Sequence, residues 1–431
     1  MGYGLRGLTR LANNPLIERF GLRKRVEKLV SRAVQAGFSA GGAVGRTFSK
    51  TRKLAKPTRP GAARASDSFN LTPTEEQQML RETVQSFASE QLRPAAASAD
   101  TDTGASDALF KQANELGIAQ MAIPDELGGA GGERSAITSA LVTEAMAHGD
   151  MSLAVACLAP TAVANALVLW GNEDQQATYL PAFAGENPPA AALAISEPRV
   201  LFDPFQLATK ARANGEGYVL DGVKTLVPRA KVSELFIVAA ELQGKGPALF
   251  IVEAKAAGIT IEAEPAMGLR SASTARVRLQ SVTLPASALI GDGDAALYAE
   301  CIHLARLGWC SLAVGGAQAV LDYVTPYVND RVAFGEPISH RQSVAFMVAN
   351  MGIELDAMRL LTWRAASRAE HGKDFAQHAA LARRLCVDKG MQIGADGVQL
   401  LGGHGFTKEH PVERWYRDLR ATGVMEGVLL V

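Results

Sequence analysis

The chain has 431 residues, 48% of them hydrophobic and 20% charged, which is enough for two or three layers of structure, each with a buried core. Forty-four basic and 44 acidic residues cancel to a formal net charge of zero, and no nucleic-acid partner is expected. Cys157, Cys301, Cys310 and Cys386 lie far apart, with no CxxC pair and no histidine at ligand spacing. They read as structural thiols in a reducing compartment, so neither a metal site nor a disulfide is expected. No apolar run is expected to reach the roughly 18 residues of a membrane span.

The zero total hides an asymmetry. Met1 to Ala65 carry 15 Lys and Arg against two carboxylates, Glu18 and Glu27, which leaves the remainder acidic. Within this head Leu16, Ile17, Phe20, Leu22, Val26, Leu29 and Val30 recur at near-helical spacing, so residues 1–35 read as a basic amphipathic helix. Gly37 to Ser68 has a linker composition. The head is read as a peripheral contact with a membrane or partner, with an organelle transit peptide or an inert tail as the alternatives.

A helix start follows at Thr72-Pro73-Thr74-Glu75, read as hydroxyl N-cap, proline at N1 and carboxylate at N3. Helical patterns then recur to about Gly185. From about Ala191 to Gly291 the pattern changes to short strands: Gly217–Leu220, Leu235–Ala240, Ala248–Val252, Ile259–Ile261 and Arg276–Val282. In the last, Val277 and Leu279 alternate with Arg276, Arg278 and Gln280, as on a half-buried strand. Long helical patterns return after Gly291. The expected fold is α+β and mostly helical, divided into a basic extension (1–70), a helical domain (71–190), a small β domain (191–291) and a C-terminal helical domain (292–431).

Four constellations carry the chemistry. The first is Leu193-Ala194-Ile195-Ser196-Glu197-Pro198 after Tyr179-Leu180-Pro181 and Gly185. Next comes Met267-Gly268-Leu269-Arg270-Ser271-Ala272-Ser273-Thr274, whose residues suit turns and sheet edges. The third is Arg331-Val332-Ala333-Phe334-Gly335-Glu336-Pro337 followed by Arg341-Gln342, a guanidinium and an aromatic ring beside a Gly-Glu-Pro turn between two long helical patterns. The last is Gln399-Leu400-Leu401-Gly402-Gly403-His404-Gly405, whose glycines let backbone N–H groups approach an anion. No strand–turn–helix unit surrounds this turn, so it is not a Rossmann fingerprint, and His404 reads as a surface or packing residue. Beyond it come Arg414-Trp415-Tyr416-Arg417-Asp418 and Met425-Glu426-Gly427.

In this order and spacing the motifs resemble those of the acyl-CoA dehydrogenases, from about Leu71 to the C-terminus. The resemblance implies a FAD-dependent oxidoreductase of fatty-acid β-oxidation and lipid metabolism. It would make trans-2-enoyl-CoA from acyl-CoA and pass electrons to an electron-transferring flavoprotein. It further implies FAD held by Leu193, Ser196, Arg331, Phe334, Gln342, Gln399, Gly402 and Gly403, partly across the subunit boundary of a homodimer or homotetramer. Glu426 would be the base. In other members the base sits at a position aligned with Arg306, which cannot be one; Arg306 is assigned to substrate binding instead. A cytoplasmic enzyme, peripheral to the inner face of a membrane, is expected, or a mitochondrial matrix enzyme if the head is a transit peptide.

The chain also departs from the family pattern. Arg199-Val200-Leu201-Phe202-Asp203-Pro204 replaces a glycine-rich turn, and its bulky residues are not expected to adopt positive φ. Leu226, Val227 and Pro228 replace an aromatic and a hydroxyl beside the flavin, and Val428 replaces a threonine after the base. A medium-to-long or unusual acyl group is the reading that follows. An oxidase of the same fold is the near alternative; a non-catalytic scaffold docking through the basic head is the distant one.

Overall fold

The structure is a computed structural model in which residues 72–132 and 134–425 are described. The basic head, with its expected amphipathic helix and linker, and Glu426, Gly427 and Val428 lie outside the described residues.

Among the described residues six α-helices come first: α1 (Glu75–Phe87), α2 (Arg93–Asp102), α3 (Asp107–Glu115), α4 (Ala136–Gly149), α5 (Met151–Trp170) and α6 (Glu173–Ala184). The cap of α1 lies two residues beyond the expected one. Thr74 Oγ1 accepts from Gln77 N–H, and the Gln77 side-chain oxygen accepts from Thr74 N–H, a reciprocal box that outcompetes Thr72 and Pro73. A second correction concerns α5, whose 20 residues carry no charge and are long enough to cross a membrane. Of its most apolar 18-residue stretch, 83% is buried inside the protein, so it serves as the core helix of the first domain.

The middle segment holds β1 (Ala191–Ala194), β2 (Lys210–Ala213), β3 (Gly217–Val227), β4 (Leu235–Leu242), β5 (Gly246–Glu253), β6 (Ile259–Ala263) and β7 (Ala275–Pro285). They form one sheet of order β1-β4-β2-β3-β7-β6, with β5 also paired to β4. The pairings of β4 with β1 and β2 are parallel and the others antiparallel. The five expected strands are present, most of them longer than the pattern indicated. Two were missed: β1 reads Ala-Ala-Leu-Ala and β2 Lys-Ala-Arg-Ala, compositions with little β propensity. Tertiary burial decides β1, since all four of its residues are buried and pair with β4 from Leu235 to Val238.

Long helices follow: α7 (Ala295–Asp330), then a two-stranded hairpin of β8 (Val332–Ala333) and β9 (Glu336–Pro337), then α8 (Gln342–Glu370), α9 (Ala376–Leu400) and α10 (Val412–Leu419). All four cysteines are free and buried, and burial pushes the Cys157 thiol up to about 12, as expected of packing residues.

The turn between β6 and β7 joins the three segments. Leu269 N–H donates to Asp418 at 2.6 Å, Ala272 N–H to Ser152 Oγ at 2.9 Å, and the Met267 carbonyl accepts from Arg417 at 2.9 Å. Arg417 also forks onto Asp100 at 2.9 and 3.0 Å, while Arg414 donates to the fully buried Asp150 at 3.0 Å. Asp418 is buried beside Asp150, and its second carboxyl oxygen has no hydrogen-bond partner. Burial first, and the Asp150 charge second, push Asp418 up to about 8. The folded protein therefore holds a proton on Asp418 that the unfolded chain releases above its ordinary value of 3.8. This contribution to stability is complete below that value and is lost as pH rises through about 8. Denaturant titrations at pH 5 and pH 8 should show a fall in stability that Asp418→Asn flattens. An unchanged slope in the variant would place the proton elsewhere.

Candidate active site

Two places collect the residues singled out by sequence. The first is a cavity of about 530 Å³ bounded by the end of α7, the β8–β9 hairpin, the start of α8 and the end of α9. Arg331, Phe334, Arg341, Gln399, Gly402 and Gly403 line it together, although some 70 residues separate the hairpin from the turn. Arg331 caps α7, with its N–H on the Tyr327 carbonyl, and its own carbonyl accepts from Ile338 N–H to close the hairpin. Phe334 and Gly335 form the two-residue loop with φ of 56° and 87°, the paired left-handed conformation that suits a tight hairpin. A phenylalanine there is strained, and it is 96% exposed, with the Arg341 guanidinium 5.7 Å from its ring centre.

The turn across the cavity shows the corresponding economy. Gly402 has φ of 58°, and a Cβ added at Gly402 or Gly403 would meet open space, so packing does not demand glycine at either position. What glycine leaves there is bare backbone facing the cavity, as close approach of an anion requires. Gly405 has a different role, because a Cβ there would stand 2.2 Å from the Val398 carbonyl oxygen. Gln342 does not line the cavity; it is exposed at the start of α8, and its neighbour Arg341 faces the cavity instead.

The second place is the C-terminal end of β1. Leu193 is a core residue in register with Ile237, and Ser196 is buried, its carbonyl accepting from Thr225 N–H at 2.9 Å. Glu197 and Lys224 lie next to it as a fully buried ion pair of 2.9 Å. The Glu197 carboxylate also accepts from Ala208 and Thr209 N–H at 2.7 and 2.8 Å, and Lys224 donates to the Ile195 carbonyl at 3.1 Å. Burial pulls the Lys224 ammonium down to about 8 despite Glu197. Burial pushes the Glu197 carboxyl up, yet Lys224 and the two backbone donors outweigh it and hold the group below its ordinary value. A completely buried lysine demands a buried partner, but β3 also carries Asp221 and Thr225, so the sequence does not mark Lys224 as the inward one.

The Glu197 bonds pin both ends of the loop that replaces the glycine-rich turn. Contrary to expectation, Leu201 takes a left-handed φ of 53°, and Leu226 one of 54°. Val200 and Leu201 are over 90% exposed, so the strained loop projects outward rather than packing. Phe205, at its end, meets Tyr298 and His303 of α7 at ring distances of 6.1 and 6.3 Å, and the Arg306 guanidinium lies 5.8 Å from its ring. His303 and Arg306 share one face of α7 at three-residue spacing, a pairing that the sequence reading left unnoticed. Burial, with Arg306 adding to it, holds His303 below its ordinary value. Leu193, Ser196 and Arg306 do not line the 530 Å³ cavity.

Comparison with known proteins decides the family. Models of the acyl-CoA dehydrogenase N-terminal, middle and C-terminal domains match residues 74–187, 192–282 and 293–429. The chain is 34% identical to the bovine mitochondrial short-chain specific acyl-CoA dehydrogenase over 365 residues, covering 82% of this chain and 87% of the bovine one.

The chain belongs to the acyl-CoA dehydrogenase family.

Membership makes it a flavin-dependent dehydrogenase with the helical, β, helical order seen here. The chain is also 32% identical to the probable acyl-CoA dehydrogenase YngJ of Bacillus subtilis, covering 83% of this chain and 96% of that one, so its relatives span mitochondria and bacteria. Among solved acyl-CoA dehydrogenases, butyryl-CoA dehydrogenase of Megasphaera elsdenii superposes with a TM-score of 0.77 at 28% identity, over 83% of this chain and 96% of that one. A structure titled for the electron transferring flavoprotein of Acidaminococcus fermentans and flavin-based electron bifurcation matches with the same score, identity and coverage.

Proposed function

We propose that this enzyme desaturates an acyl-CoA thioester between its α and β carbons, with FAD as hydride acceptor and Glu426 as base. The observation that carries the reading is the cavity that brings Arg331, Phe334, Gln399, Gly402 and Gly403 together from two distant motifs. These residues fit the adenine and pyrophosphate portion of FAD: a guanidinium for the charge, bare backbone for the phosphate oxygens and an exposed ring for the purine. Leu193 and Ser196 would serve the isoalloxazine portion from the β domain. Neither lines the cavity, which fits a cofactor shared between two subunits.

Bound flavin supplies an acceptor for the hydride that leaves the β carbon. The rest of the work falls to the chain. Glu426 takes the α proton onto its carboxylate while a backbone N–H donates to the thioester carbonyl and stabilises the enolate charge, giving the trans-2-enoyl thioester. Met425, the last described residue before Glu426, is 1% exposed, its N–H donates to the Ala421 carbonyl at 2.9 Å, and its own carbonyl accepts from Arg383 at 3.2 Å. An electron-transferring flavoprotein is the proposed acceptor of the electrons, and Arg306, beside Phe205 and His303, would face the acyl-CoA.

Anaerobic addition of an acyl-CoA panel, from butyryl to palmitoyl and including branched chains, should bleach the bound flavin for at least one member and reveal the acyl length preferred. Protein that takes up no FAD, or flavin that stays yellow with the whole panel, would sink the proposal in favour of the scaffold reading.

A further inference from the structure

We propose that His404, Glu409 and His410 form a binding site for one transition-metal ion of the zinc class, on the loop between the glycine turn and α10. One ligand atom from each of the three residues lies within 4.8 Å of the other two. His404 Nδ1 already stands 3.1 Å from a Glu409 carboxylate oxygen. Bonds of about 2.0–2.1 Å to a tetrahedral ion set its ligand atoms about 3.3 Å apart, so the His404–Glu409 pair needs almost no adjustment, and His410, within 4.8 Å of both, must close by up to about 1.5 Å. Two imidazoles with one carboxylate suit Zn²⁺, Co²⁺ or Ni²⁺, whereas Mg²⁺ and Ca²⁺ prefer oxygen ligands alone.

The loop is built to hold these groups in place. The His404 carbonyl accepts from both Thr407 N–H and Thr407 Oγ1, at 3.1 and 2.9 Å, which folds the segment back on itself. Gly405 presses the turn against the Val398 backbone of α9. His410 is oriented from behind, where its Nδ1 lies 2.7 Å from the Tyr323 hydroxyl and its ring stands edge-on to Tyr323 and Tyr327 at 5.9 and 5.7 Å. With Nδ1–H donating to that hydroxyl oxygen, the lone pair sits on Nε2, the tautomer that a metal requires. The His404 ring lies 5.8 Å from it at 86°, and both His404 and Glu409 are half or more open to solvent, which gives an ion a path in and a water room as fourth ligand. Because His404 also lines the 530 Å³ cavity, occupancy of this site fixes one wall of that cavity. The metal site stands on its own residues and does not depend on the base or substrate assigned above.

The test uses the full chain, free of any affinity tag and stripped with chelator, titrated with Co²⁺ and followed by visible absorption. One equivalent should give the intense bands of a low-coordinate cobalt site, and Zn²⁺ should displace it. The double variant His404→Ala with Glu409→Gln, both at exposed positions, should lose the bands while keeping its helical circular dichroism. Tyr323→Phe, which removes only the orienting hydroxyl, should weaken binding about ten-fold. Absence of a saturable one-to-one site, or bands of equal intensity and affinity in the double variant, would overturn the proposal.

Discussion

Replacing Glu426 by Gln is expected to leave the flavin bound and to slow its anaerobic reduction by acyl-CoA by about 10²- to 10⁴-fold. That range is what a positioned base contributes to proton transfer. The substitution keeps the size of the side chain and its capacity to accept a hydrogen bond, so a loss confined to the reduction step isolates the proton acceptor from packing and from substrate affinity. Stopped-flow absorbance at saturating acyl-CoA reads that step directly. A wild-type rate in the variant would move the base elsewhere, with no other effect on the cofactor reading.

Lys224→Met should have the largest effect on stability. It removes one member of a fully buried pair and leaves the Glu197 carboxylate with two backbone donors but no countercharge. Stranding a buried charge in this way costs about 3–5 kcal/mol. Adding Glu197→Gln should recover part of that loss, because the stranded charge disappears with it, and the two changes will therefore not add. Urea unfolding of the two single variants and the double variant closes the cycle. Purely additive effects would mean that the pair is not coupled as its 2.9 Å contact implies. Ser196 adjoins Glu197, and the Lys224 ammonium holds the Ile195 carbonyl, so the Lys224 variant should also lose flavin from its β-domain contact.

Much of this was legible in the sequence. Alternation along β7 put Val277 and Leu279 inward, and the helical periods on either side of the sheet gave the order of segments. The motifs around Arg331 and Gln399 pointed at one ligand, and the fold brings them to one cavity. What stayed hidden depends on partners remote in the chain. Alanine-rich β1 is a strand only because β4 lies beside it, and α5 resembles a membrane span until the surrounding helices cover it. Leu201 accepts a left-handed backbone because Glu197 holds Ala208 and Thr209 and so fixes where the loop must end, which no local preference reveals. Arg341, the extended N-cap of α8, lines the cavity, whereas Gln342, the first helical residue, does not.

The junction of Asp100, Arg417, Leu269 and Asp418 bears on synthesis as well as on stability. The fork between Asp100 and Arg417 closes a loop of 317 residues, and Arg414 reaches Asp150 across 264. A ribosome that has made the first two domains has exposed Asp100, Asp150 and Ser152 without making α10, which supplies the guanidinium groups for the two aspartates. The helical N-terminal third therefore keeps these buried-type carboxylates without their α10 partners until that eight-residue helix has been made.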